Sequence, residues 1–331
     1  MKRNLFIDVV KGIATLSVIF IHTVFWSGER YVPSEIRSLS LLIDVPIFFF
    51  LSGFTSSGNI ERNIHRLLKL QITYMVFITL IYFYCNFYNK DLNWIILLNW
   101  YLHDYSFSGP LEVVMGSMWY LKIYFITSFF GTIVLKYCSQ KQISILIGIF
   151  IICLFYFSFH FYPQGNTGYI LTYLSFFLIA HQLKNINLKP LYAILCFLLL
   201  LFIYYLLYLH FGNKATLLIR YQKFPPNIIY FVYSSFSLLI IVFLKGRIKF
   251  SKNNFLSYIG QNAIFYYFAQ GIICSKIYAL VKLWENFIDW PILLLLIFSI
   301  NVILATIMAY ILKKIDYLGW KFLYFIKNKT M

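Results

Sequence analysis

The feature that most constrains this chain is the recurrence of apolar runs long enough to cross a bilayer. The stretch LYAILCFLLLLFIYYLLYL, from Leu191 to Leu209, is one of several spread along the 331 residues. A hydrocarbon core about 30 Å thick needs roughly 20 such residues in a helix. Only 12% of residues are charged and 61% are hydrophobic, against about 25% charged in soluble domains. The chain therefore reads as an all-α, polytopic integral membrane protein. No polar stretch is long enough to hold a separate soluble core, so residues 1–331 read as a single membrane domain.

Ten spans are expected, near 5–26, 39–57, 67–86, 117–136, 142–160, 168–183, 190–210, 227–244, 255–276 and 291–312. The segment from Leu92 to Pro110 is apolar but interrupted by Asn, His and Asp. It reads as interfacial or re-entrant, not as a full span. The N-terminus is not a cleaved signal peptide in this reading: Asp8 and Lys11 interrupt its apolar region and no small-residue cleavage site follows.

The formal charge of +17 raises the question of nucleic acid. The positions argue against it, because the basic residues gather at the ends of the apolar runs. With the N-terminus inside, eighteen of the 28 Lys and Arg fall on the inner side and eight on the outer. That bias places both termini in the cytoplasm. The five cysteines are scattered, with no CxxC or Cys/His ligand spacing, which points to free thiols and no metal site.

The first apolar run is unusual. KGIATLSVIFIH, Lys11 to His22, sets a cation and a histidine at opposite ends of ten uncharged residues. At 100° per residue the two share one helix face, about 16 Å apart along the axis. Asp8 lies one turn before Lys11 and can pair with it. The bland account has Lys11 snorkelling to the interface and His22 resting beside Trp26. Ionisable groups inside a membrane usually serve function, and three on one helix fit a polar path better.

These residues carry a resemblance. FIDVVKGIATLSVIFIH is similar to the first helix of the acyltransferase 3 family, where Arg or Lys precedes His by the same interval. DVPIFFFLSGF (Asp44–Phe54), RNIHRLLKL (Arg62–Leu70), MWYLKIYF (Met118–Phe125) and YIGQNAIFYYFAQ (Tyr258–Gln270) resemble further motifs of that family, in order. The last often ends in His; here Gln270 stands in that place, and no catalytic role is assigned to it.

The resemblance implies a membrane O-acyltransferase of surface polysaccharides, most simply an O-acetyltransferase in the bacterial cytoplasmic membrane. Its donor would be acyl-CoA, acetyl-CoA in the simplest case. Its acceptor would be a glycan or lipid-linked saccharide, with membrane lipids and polysaccharide-biosynthesis proteins as further partners. His22 is the expected base or nucleophile, since imidazole titrates near neutrality. Lys11, Arg62, Arg66 and Lys69 are the expected donor-binding residues, with Arg offering bidentate contacts to phosphate. The positive-inside rule alone would also place this basic loop. Asp8, Asp44, Ser52, Glu112 and Trp119 are supporting candidates; Ser52 and Gly53 serve helix packing equally well. His65, His103, His160, His181 and His210 read as loop or interfacial residues. The rival account is a transporter or flippase for a glycan or lipid-linked sugar, which explains the spans equally well but not the order of the motifs.

Overall fold

A computed structural model describes residues 4–27, 31–87, 92–102, 110–160, 167–251 and 254–329. His103, Asp104, Glu29, Arg30, Lys90, Asp91 and Lys252 lie outside them. Among the described residues 83% are helical and there is no strand. In order, the helices are α1 (Leu5–Trp26), α2 (Ser34–Ser40), α3 (Pro46–Thr55), α4 (Ile60–Cys85), α5 (Trp94–Tyr101), α6 (Glu112–Ser117) and α7 (Trp119–Tyr137). They continue as α8 (Gln140–His160), α9 (Thr167–Leu183), α10 (Pro190–Leu217), α11 (Ile228–Leu244), α12 (Phe255–Gln261), α13 (Ala263–Trp284) and α14 (Trp290–Lys329).

Among the described residues, seven helices are long and apolar enough to cross a membrane, α6 and α7 counting as one. Each of the other three expected spans is occupied by something shorter. Residues 39–57 split into α2 and the ten-residue α3 because Pro46, which has no N–H to give, opens a new helix after a turn at Asp44. α9 and α11 each have 17 residues. At the other extreme, α14 runs unbroken for 40 residues, about 60 Å. Lys313 and Lys314 continue it instead of ending it. α5 has eight residues, too few to span. It lies antiparallel against α4: Tyr82 Oη donates to Asn93 O at 2.8 Å and Tyr74 Oη to Trp100 O at 2.6 Å.

The chain divides into two compact units, one of Met1–Ile21, Val32–Asn63 and Ile123–Gln261, the other of His22–Tyr31, Ile64–Lys122 and Asn262–Met331. In the first, α3 packs on α9. Gly53 meets the backbone of Phe177 so closely that a Cβ would overlap its carbonyl, and Phe49 stacks on Tyr173 at 4.3 Å. α11 joins through the stacked pair Phe176 and Phe231, 4.5 Å apart. In the second, α13 and α14 form a hairpin closed by Ile277, Val281, Leu293 and Ile297. α6 packs on α13, where Gly271 admits Val114 and Ser275 Oγ accepts from Val113 N at 3.0 Å.

Candidate functional site

α1 begins where Asn4 Oδ1 accepts the amide of Phe6 at 3.1 Å, satisfying one of the orphan donors of a helix start. Its 22 residues are unbroken, so Lys11 and His22 keep the shared face that their spacing dictates. Asp8 is buried; Lys11 and His22 are half-buried. The first unit holds the Lys11 end by backbone contact. A methyl at Gly12 would overlap the carbonyl of Leu256, and one at Gly260 the carbonyl of Asp8. Two motif glycines, one in the first helix and one in the late motif, thus exist so that α1 and α12 can cross at backbone distance.

The His22 end belongs to the second unit. The adjacent Thr23 is fully buried and its Oγ1 accepts from Asn301 Nδ2 of α14 at 2.7 Å. One turn further, the Trp26 ring lies over Gly116 of α6, and Ser27 hydrogen-bonds Tyr31 at 2.9 Å. The turn that carries His22 is therefore fixed from both sides, by an amide on α14 and by an aromatic ring set on α6. Asn301 escaped the sequence reading. Its signal was there: a lone amide in the middle of an apolar run. Asn301 Oδ1 and Gln270 Oε1 are both buried and have no hydrogen-bond partner among the described residues; Gln270 Nε2 donates to Tyr267 O at 3.1 Å.

The basic residues of α4 form a stripe. Asn59 Oδ1 caps the helix by accepting from Arg62 N at 2.9 Å. Arg62, Arg66 and Lys69 then follow at intervals of four and three, which places them on one face. All three are exposed. Cations in the first turns of a helix oppose its dipole, so local helix stability does not account for them. The cations after α11 are used differently. Lys245 Nζ donates to Lys184 O and to Ile186 O, and Arg247 to Leu188 O, tying down the link between α9 and α10. Partial burial lowers the pKa of Lys245 from its ordinary value.

Asp44 is closed off. Its Oδ2 lies 2.7 Å from Lys223 Nζ and accepts from Tyr230 Oη at 2.6 Å, with both members of the ion pair buried. Lys223 comes from the short segment before α11, next to the cis peptide Phe224–Pro225. Ser52 sits in a hydroxyl cluster, 3.3 Å from both Tyr124 Oη and Ser128 Oγ, and Asn63 Nδ2 donates to Ser128 O at 3.0 Å. Glu112 is exposed at the start of α6, and Trp119 is half-buried at the start of α7. The first unit thus contains Asp8, Lys11, Asp44, Ser52 and Arg62, and the second His22, Arg66, Lys69, Glu112 and Trp119.

Membrane-length helices throughout, with ionisable groups set within the most buried of them, define a multi-pass membrane protein. A family model described as an acyltransferase domain matches residues 4–310, and the chain belongs to the acyltransferase 3 family. No curated protein and no solved structure matches it. Membership of that family makes this a membrane acyltransferase.

Proposed function

We propose that the protein is an O-acetyltransferase that moves an acetyl group from cytoplasmic acetyl-CoA to a hydroxyl of an extracytoplasmic or lipid-linked glycan. It would work in the bacterial cytoplasmic membrane as a ten-span bundle with both termini inside, beside polysaccharide-biosynthesis proteins. The observation that carries this reading is the one-sided pairing of Lys11 and His22 on α1, in a chain that belongs to an acyltransferase family.

The start of α4 suits the donor's phosphates. The positive dipole end of a helix attracts anions, and Arg62, Arg66 and Lys69 add three exposed cations. Lys11 would draw the donor arm inward along α1. His22 Nδ1 or Nε2 takes the proton of the attacking hydroxyl. The oxygen forms the new C–O bond, the thioester C–S bond breaks, and the imidazolium returns the proton to the departing thiolate. In the covalent variant the imidazole itself carries the acetyl group between the two substrates.

Incubating the purified protein with radiolabelled acetyl-CoA tests the reading. The expected result is release of free CoA with label transferred to saccharide or water. A flippase would leave the thioester intact, and that outcome would reject the proposal.

A further inference from the structure

Two amides sit in the seam between α13 and α14. On α13, Gln270 lies on the stripe of Ile277 and Val281, one helical repeat before them. On α14, Asn301 follows Leu293 and Ile297 at intervals of four. Those four apolar residues close the hairpin, so helical spacing turns both amides into the same seam. Continued along the antiparallel pair, that packing brings Ile273 level with Asn301. Gln270 lies three residues beyond Ile273, about 4.5 Å along the axis.

Both side chains are 1% exposed. Each already uses its NH₂ group: Asn301 Nδ2 donates to Thr23 Oγ1 at 2.7 Å, and Gln270 Nε2 to Tyr267 O at 3.1 Å. A carbonyl can only accept, so Tyr267 O fixes which end of Gln270 is the NH₂. Gln270 Oε1 and Asn301 Oδ1 have no hydrogen-bond partner among the described residues. A buried acceptor that no donor meets is destabilising, and two acceptors cannot satisfy each other. Whatever meets them must bring N–H or O–H groups.

We propose that these two oxygens hold the pantetheine arm of acyl-CoA by its two amide N–H groups. The inference rests on the acyl-CoA reading above and names how the donor is held. Its support is the order of residues along the second unit. Thr73 of α4 and Asp316 of α14 line one narrow cleft, and Thr73 is one turn beyond Lys69. Along α14 from that level come first the level of Gln270 and then Asn301. The Thr23 that Asn301 binds is the neighbour of His22. A donor with its phosphates on Arg66 and Lys69 and its thioester at His22 therefore passes Gln270 and then Asn301. Pantetheine carries two amide N–H groups in series, one β-alanine unit apart, and each carbonyl accepts one.

Equilibrium titration of the purified full chain tests this, with CoA and with phosphoadenosine diphosphate, the same nucleotide without the arm. The wild type should bind CoA more tightly. Gln270→Met, close in shape but without the acceptor, should weaken CoA about fivefold, the worth of one hydrogen bond. It should leave phosphoadenosine diphosphate unchanged. Asn301→Leu should show the same split, with size-exclusion elution confirming that each variant is folded. Unchanged CoA affinity in both folded variants would overturn the proposal and leave the amides to water or to an acceptor hydroxyl. An equal fall for both probes would also overturn it, as a structural effect. A wild type that binds both probes equally would reject the arm site alone; one that binds neither would reject the acyl-CoA reading with it.

Discussion

α1 and α8 are helices of nearly equal length, 22 and 21 residues, and both are apolar enough to span. Yet 56% of the spanning window of α1 is buried inside the protein, against 11% for α8. α10 resembles α8, also at 11%. The glycines make the same contrast at atomic scale. Gly12 of α1 is pressed against the backbone of Leu256, whereas Gly148 of α8 has nothing within 4 Å of where a Cβ would stand. The charge-bearing residues follow burial: Asp8, Lys11 and His22 lie on α1, while the middle of α8 carries no Asp, Glu, Lys, Arg or His. Apolarity makes both helices membrane-compatible; polar groups and close backbone contact distinguish the one that is built into the interior.

The largest effect should come from splitting the buried ion pair of the interior. Asp44→Leu strands Lys223, a loss of about 3–5 kcal/mol, read as a drop in thermal stability in detergent. Adding Lys223→Met should recover most of it, since a removed pair costs far less than a half-removed one. If the single and double variants were equally unstable, the pair would not be the source of the loss. Next comes Gly12→Ala, which forces α1 from α12 at a cost of roughly 3 kcal/mol or more. A correctly folded Gly12→Ala protein of wild-type stability would dissolve the contrast with α8.

Smaller, and confined to the exposed face, is the effect of replacing Arg62 and Arg66 with Ala. Stability should hold while acetyl-CoA affinity falls by an order of magnitude or more, given about 1.5–3 kcal/mol for a hydrogen bond to a charged group. Unchanged affinity in a binding titration would return these residues to a purely topological role. The smallest effect should be that of Gly148→Ala, a stabilisation of up to about 1 kcal/mol from helix propensity alone.

Much of this was legible in the sequence. The bounds of α1 follow from its apolar run, and they agree with Leu5–Trp26. Helical periodicity alone puts Lys11 and His22 on one face. What could not be read are contacts between segments far apart in the chain. Asp44 gave no sign of a partner 179 residues away, and Lys223 looked like an ordinary loop cation. Gly12 and Gly260 each looked like one small residue among others; only the crossing of α1 with α12 shows why each is needed. Residues 39–57 read as one span; the structure breaks them at Pro46, after a turn in which Asp44 is held by Lys223.

The proposed reaction rests on His22 as the group that performs the acyl transfer. Its most direct test compares acetyl transfer and acetyl-CoA binding in purified wild-type protein and His22→Ala, each eluting as a folded species. The account predicts a fall in transfer of roughly 10²–10⁴-fold, the usual contribution of a general base, with donor binding retained because the proposal has the donor's phosphates bound at α4. A His22→Ala protein that transfers acetyl at the wild-type rate would contradict it.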